Sequence, residues 1–116
     1  MKKEVKKYYP NEQLQCSYFL KRGKINDEYK EYYENGQLKI LCYYQNGKYN
    51  GEFASYYDNG QQKEYAFYVK GKRNGNYTQY HKNGNIKMLC FYKNDTLTGE
   101  YNEYNEKGEV IANLLF

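Results

Sequence analysis

Few side chains in this sequence are of the types that perform chemistry by themselves. There is one histidine, His81, and there are three cysteines, Cys16, Cys42 and Cys90, among 116 residues. A general base must sit within hydrogen-bond reach of the proton it removes, and a local metal site draws its ligands from spacings such as Cys-x-x-Cys or His-x-x-x-His. Neither spacing occurs, and His81 stands in a position that Tyr9, Tyr33 and Tyr57 occupy elsewhere in the chain, which reads as a sheet-face residue in place of a tyrosine. Glu34, Asp58 and Glu106 fall in turn-like segments, with no carboxylate pair that would converge in a pocket, and there is no Gly-rich phosphate loop. The expectation is a protein that is not an enzyme, with no catalytic residue, no metal ligand and no cofactor.

The chemistry on offer is recognition. Tyrosine accounts for 18 residues and tryptophan for none. A phenol ring buries a large apolar area while its hydroxyl stays hydrated, so tyrosine suits a thin structure and a binding surface alike. Tyr32, Tyr56 and Tyr80 recur at one spacing, and Lys39, Lys63 and Lys87 recur at the same spacing. On a sheet such rows set an ammonium beside a ring at every step, a ladder worth roughly 0.5–1 kcal/mol per exposed pair. These six residues are the candidate partner-binding surface, and the same ladder would also stabilise the sheet. Nucleic acid could use aromatic and lysine rows too, by stacking bases and contacting phosphates. The charge argues against it: 18 Lys and Arg stand against 14 Asp and Glu, a net +4, and Glu28, Glu52 and Glu100 recur on the face of the lysine row. Anionic lipid has weak support, since the one polybasic cluster is Lys2, Lys3, Lys6 and Lys7.

The elements that must position these rows follow from an internal repeat. Tyr8, Tyr32, Tyr56, Tyr80 and Tyr104 recur every 24 residues, and the ten glycines fall into three columns of that repeat: Gly36, Gly60, Gly84 and Gly108; Gly23, Gly47 and Gly71; Gly51, Gly75 and Gly99. Glycine recurs where the backbone takes positive φ, so each unit carries a regular set of turns. Asn35-Gly36, Asn59-Gly60 and Asn83-Gly84 lie between aromatic and apolar stretches, the signal for a two-residue type I′ hairpin turn. Asn46-Gly47-Lys48-Tyr49-Asn50-Gly51 and its copies suggest a wider loop at the other end of each unit. The fold class is all-β: an elongated antiparallel meander of stacked hairpins, about ten short strands in all.

The chain reads as one repeat domain over 1–116, with a degenerate first unit 8–31, units 32–55, 56–79 and 80–103, and a partial last unit 104–116. In the first unit Glu12 stands where later units have glycine, as terminal capping repeats often differ. A two-residue turn at Asn35-Gly36 would pair Tyr33 with Leu38, Tyr32 with Lys39, Glu31 with Ile40 and Tyr29 with Cys42. One face then carries Tyr29, Tyr33, Leu38, Ile40, Cys42, Tyr44 and their copies as the core, and the opposite face carries the Tyr32 and Lys39 rows. Cys42 and Cys90 share one column two units apart, too far for a disulfide. Leu114-Leu115-Phe116 on a terminal strand would pack back on the sheet or pair with another copy. No apolar run approaches the roughly 18 residues of a membrane span, no signal peptide follows the N-terminus, and the odd cysteine count suits reduced thiols. A cytoplasmic setting is expected.

Tyr32-Tyr33-Glu34-Asn35-Gly36-Gln37-Leu38-Lys39, then a strand, then Asn46-Gly47-Lys48-Tyr49-Asn50-Gly51-Glu52-Phe53, resembles the MORN-variant repeats of bacterial proteins, including those classed as YwqK-family antitoxins. The resemblance covers residues 8–116 and is cleanest from Tyr32 to Gly99. It implies an elongated sheet of stacked hairpins and a non-catalytic role: binding another protein, and in the antitoxin branch neutralising a toxin by binding it. A structural or self-associating scaffold and a module for anionic membrane surfaces are the alternatives.

Overall fold

The computed structural model describes residues 1–116 and contains strands and turns without a helix. The strands are β1 (Lys2–Tyr8), β2 (Leu14–Lys21), β3 (Lys24–Tyr32), β4 (Leu38–Gln45), β5 (Lys48–Tyr56), β6 (Gln62–Val69), β7 (Lys72–Arg73), β8 (Gly75–Tyr80), β9 (Ile86–Lys93), β10 (Thr96–Leu97), β11 (Glu100–Tyr104) and β12 (Val110–Leu115). They form one antiparallel sheet in the order β1-β2-β3-β4-β5-β6-β8-β9-β11-β12, with β7 beside β6 and β10 beside β9. β7 and β8 together occupy the place that β5 fills without a break one unit earlier. The break falls at Asn74, whose N–H donates to Phe67 O at 2.8 Å. β1 and β12 lie at opposite ends, so the sheet is an open meander. Its extents of 45 × 32 × 13 Å are those of a single layer with its side chains.

The two kinds of turn are the reverse of the sequence expectation. The two-residue type I′ turns are Arg22-Gly23, Asn46-Gly47, Lys70-Gly71 and Asn94-Asp95, with both central φ values positive, as at Asn46 (51°) and Gly47 (80°). Gln45 pairs directly with Lys48 across that turn. At Asn35-Gly36 only the glycine has positive φ (89°). There Gly36 N–H donates to Tyr33 O at 2.9 Å and Tyr33 N–H to Gln37 O at 2.8 Å, a three-residue loop built on a type I turn with a glycine bulge. Asn35 has a different task from the one expected of it: its Oδ1 accepts the Gln37 N–H at 2.9 Å, closing the loop from the side chain. The third glycine column is not a loop. Gly51 lies within β5 at φ 115°, a conformation that strains any other residue, while a β-carbon there would only touch Tyr43, at 3.5 Å from its Cβ.

Register follows the turns. Glu31 pairs with Ile40 and Tyr29 with Cys42 as expected, but Tyr32 pairs with Leu38, and Lys39 is the extra residue of a β-bulge. Lys63 and Lys87 hold the same bulged position opposite β5 and β8. The expected Tyr32–Lys39 and Tyr33–Leu38 pairs are therefore replaced, because a three-residue loop and a bulge add two residues that a two-residue turn does not contain.

The more buried face carries Cys42, Ala66, Tyr77 and Cys90, with Phe53, Tyr68, Met88 and Tyr92 packed against the Ala66–Tyr77–Cys90 cluster. A spine of rings runs across it: Tyr18, Tyr29, Tyr44, Tyr49 and Tyr68 follow one another with centroids 4.9–5.8 Å apart. Arg73 takes the position of Tyr49 one unit on, and its guanidinium lies 4.3 Å from the Tyr92 ring centre. Tyrosine does the work that leucine does in a two-layer domain, because on a single sheet every core side chain keeps one end near water.

Candidate functional site

Adjacent tyrosines have separate roles. Tyr9, Tyr33 and Tyr57 donate their hydroxyls to the carbonyls of Tyr32, Tyr56 and Tyr80 in the following unit, at 2.6, 2.6 and 2.7 Å. His81 continues the row, with Nε2 2.9 Å from Tyr104 O, so that nitrogen carries the proton. The substitution of tyrosine by histidine thus keeps a donor at the same place. A second row runs beside it: Asn11, Asn35, Asn59 and Asn83 donate from Nδ2 to Glu34 O, Asp58 O, Lys82 O and Glu106 O. Both rows tie each loop to the next, so these residues position the surface, and Tyr57 and His81 also form part of it.

The bulge aims the lysines at the same rings. Lys39 Nζ lies 5.5 Å from the Tyr33 ring centre and Lys63 Nζ 5.7 Å from that of Tyr57. The cation–π partners are thus Tyr33 and Tyr57, not Tyr32 and Tyr56. Lys39 is also neutralised by Glu31 at 3.3 Å, whereas Lys63 and Lys87 make no ion pair. Their cross-strand neighbours in the position of Glu31 are Ser55 and Gln79, neither of them charged.

Three of the six candidate residues come together. Tyr80, Lys63 and Lys87 line a cleft of about 150 Å³ with Tyr57, Glu64 and Gln79. Moving each of these residues on by one unit gives His81, Lys87, Met88, Glu103, Tyr104 and Ile111, and these six line a second cleft of about 340 Å³. The cleft thus recurs in two successive units, wider in the last and more apolar there, with Met88 for Glu64 and Ile111 for Lys87. Tyr32, Tyr56 and Lys39 line neither. Sequence reasoning passed over Tyr57, Gln79 and Glu103; the signal that could have found Tyr57 is the doubled tyrosine at 32–33 and 56–57, which the bulge splits between two tasks.

The electrostatics of this face favour neutral side chains. Tyr29 donates its hydroxyl to Glu31 Oε1 at 2.8 Å, Tyr77 to Glu64, and Tyr101 to Glu103. Burial first, and Glu64 second, push the Tyr77 phenol up to about 12. The hydrogen bond to Glu103, ahead of burial, does the same for Tyr101. Burial raises Cys42 to about 12, with Glu31 adding to it, and also raises Cys16 and Cys90. Thiolate character is what makes cysteine a nucleophile, and these thiols are held away from it. No three His, Cys, Asp or Glu side chains come together as a metal site would need.

Two stretches of the chain, residues 28–48 and 73–94, match the family model described as MORN repeat variant. Each begins on the strand that leads into a loop and ends on or beside the following type I′ turn region. A search of curated proteins and of solved structures finds no match. A MORN repeat variant suggests a binding repeat module, in agreement with the sheet of stacked hairpins.

Proposed function

We propose that the chain is a protein-binding repeat module that acts as an antitoxin or immunity protein, covering a partner sterically rather than modifying it. The observation that carries this reading is the recurring cleft, in which lysines without an ion pair stand beside half-buried tyrosines on a rigid single-layer sheet. The rings immobilise little on binding, since they have only two rotatable bonds and the sheet is already ordered, whereas the lysines give up more rotamer freedom. Tyr80, Lys63 and Lys87 are the proposed contact residues at the cleft, with Tyr32, Tyr56 and Lys39 extending the surface along the sheet. A reducing, cytoplasmic setting belongs to the same reading and suits three buried thiols.

The test is capture of a native partner on tagged protein, with Tyr80→Ser combined with Lys63→Gln and Lys87→Gln. Capture should be lost while far-UV circular dichroism stays that of a β-sheet, and unchanged capture rejects the assignment. Retention of anionic vesicles in place of a protein would move the reading to a membrane-surface module. A self-associating scaffold is the second reading, favoured by β12. Leu114 is 51% exposed, whereas Cys42, Ala66 and Cys90 of the same column are at most 1% exposed. Light scattering distinguishes the two, since a scaffold that pairs through β12 is a dimer at micromolar concentration and the binding module is a monomer.

A further inference from the structure

The hairpins place all type I′ turns along one edge of the sheet and all three-residue loops along the other, and the two edges differ in charge. The loop edge carries Glu12, Glu34, Asp58, Glu106 and Glu109 with Lys82 and Lys107. The type I′ edge carries Lys21, Arg22, Lys24, Lys48, Lys70 and Lys72, none of which takes part in an ion pair. Two acids beside it are already engaged, Asp27 by Lys2 at 2.7 Å and Asp95 by Arg73, whose Nε lies 3.6 Å away, while Glu4, opposite Phe19, makes no ion pair. The strands between are eight or nine residues long in β2 to β6, which sets the edges about 30 Å apart.

The cations of this edge are spaced by the sheet itself. Lys24, Lys48 and Lys72 open β3, β5 and β7, so successive ammonium stems are two strand spacings apart, about 9.6 Å. The stems of Lys24 and Lys48 lie over the glycine of the next turn: a β-carbon on Gly47 would be 3.9 Å from Lys24 Cβ, and one on Gly71 would be 3.5 Å from Lys48 Cδ. Between two turns an open groove of about 380 Å³ is lined only by Lys24, Gln45, Asn46, Lys48 and Lys70, all polar.

We infer that this edge is a docking comb for an extended acidic segment of a protein partner, one that presents a carboxylate at every third residue. A polyproline II segment advances about 9.3 Å in three residues and returns to the same face, so its carboxylates meet the comb tooth by tooth. Duplex DNA presents a charge every 1.7 Å or so, and a membrane surface has no linear repeat, so neither uses the spacing. The inference rests on the reading of the chain as a protein-binding module and names the chemistry of the partner at a place remote from the cleft.

Fluorescence anisotropy of labelled peptides tests it. A peptide of Glu-Pro-Pro triplets should bind the full chain at least about tenfold more tightly than one of the same composition with its glutamates clustered at one end. Lys24→Gln with Lys48→Gln and Lys72→Gln should remove that preference. The triple variant Lys39→Gln, Lys63→Gln and Lys87→Gln should retain it. Equal binding of the two peptides overturns the comb without need of any variant, as does tighter binding of an RNA oligonucleotide of equal charge or of phosphatidylserine vesicles. Failure of the peptides, with native partner capture still dependent on Tyr80, Lys63 and Lys87, would reject the comb and leave the cleft reading standing.

Discussion

Neighbouring tyrosines with the same chemistry and different partners offer a sharp test of how the units are joined. The Tyr33 and Tyr57 hydroxyls donate to the backbone of the following unit at 2.6 and 2.7 Å, while those of Tyr32 and Tyr56 make no hydrogen bond within the chain. Replacing Tyr33 or Tyr57 by phenylalanine removes one oxygen and leaves the ring, so the loss is that of one part-buried hydrogen bond and the desolvated carbonyl it served. Each should cost about 1 kcal/mol. The two sites are two strand spacings apart, about 10 Å, so the double variant should lose about 2 kcal/mol additively. For a chain of this size each kcal/mol lowers the melting midpoint by about 4 °C. Urea unfolding followed by circular dichroism is the assay, with an unchanged m-value as the check that the unfolded reference has not moved. Tyr32→Phe and Tyr56→Phe are the paired controls and should stay within about 0.5 kcal/mol of the parent. Equal losses in both pairs, or no loss at Tyr33 and Tyr57, would refute the assignment of those hydroxyls as the ties between units.

Stability should fall in alkali: the folded-state values of Cys42, Tyr77 and Tyr101 are raised above their unfolded ones, so their contribution is complete below about pH 9 and is lost as pH rises towards about 12. Thermal midpoints measured from pH 7 to 11 check this, and a midpoint that rises above pH 9 contradicts the sign. Cys42 and Cys90, 1% and 0% exposed, should react with a thiol reagent only as fast as the sheet opens, and reaction should be immediate in urea. Cys42→Ala and Cys90→Ala should fold, since Ala66 already fills that column one unit away from each, and aggregation of either variant would show that the column needs the larger side chain.

The clefts and the charged edges have one origin. A repeat of 24 residues places every side chain type in a row across the strands, so one lysine becomes a series and one gap between rings becomes a series of clefts. Variation within a row then makes one cleft differ from the next. Glu31 pairs with Lys39 early in the sheet, Ser55 and Gln79 leave Lys63 and Lys87 without an ion pair although Glu64 and Glu103 share their clefts, and Met88 with Ile111 makes the last cleft more apolar.

The repeat, the antiparallel meander, the buried cysteine column and the role of His81 as a substitute tyrosine were all determined by the sequence alone, because each depends only on which residue types return at a fixed interval. Glycine position marked most of the places where the chain leaves the extended conformation, the exceptions being Glu12, Asp27 and the Asn94-Asp95 turn. What glycine could not distinguish was a turn from a bulge, since both need the same positive φ. Asn35-Gly36 and Asn46-Gly47 are the same dipeptide, yet the first closes a three-residue loop and the second a type I′ turn. The difference lies in what the Asn35 side chain can reach, namely Gln37 N and Asp58 O, and the second of these exists only once the next hairpin has stacked alongside. From that choice came the bulge at Lys39, and from the bulge the turning of the lysine row onto Tyr33 and Tyr57. A pairing register is a property of two strands together, and its one-residue steps are settled by hydrogen bonds between units that no single unit contains.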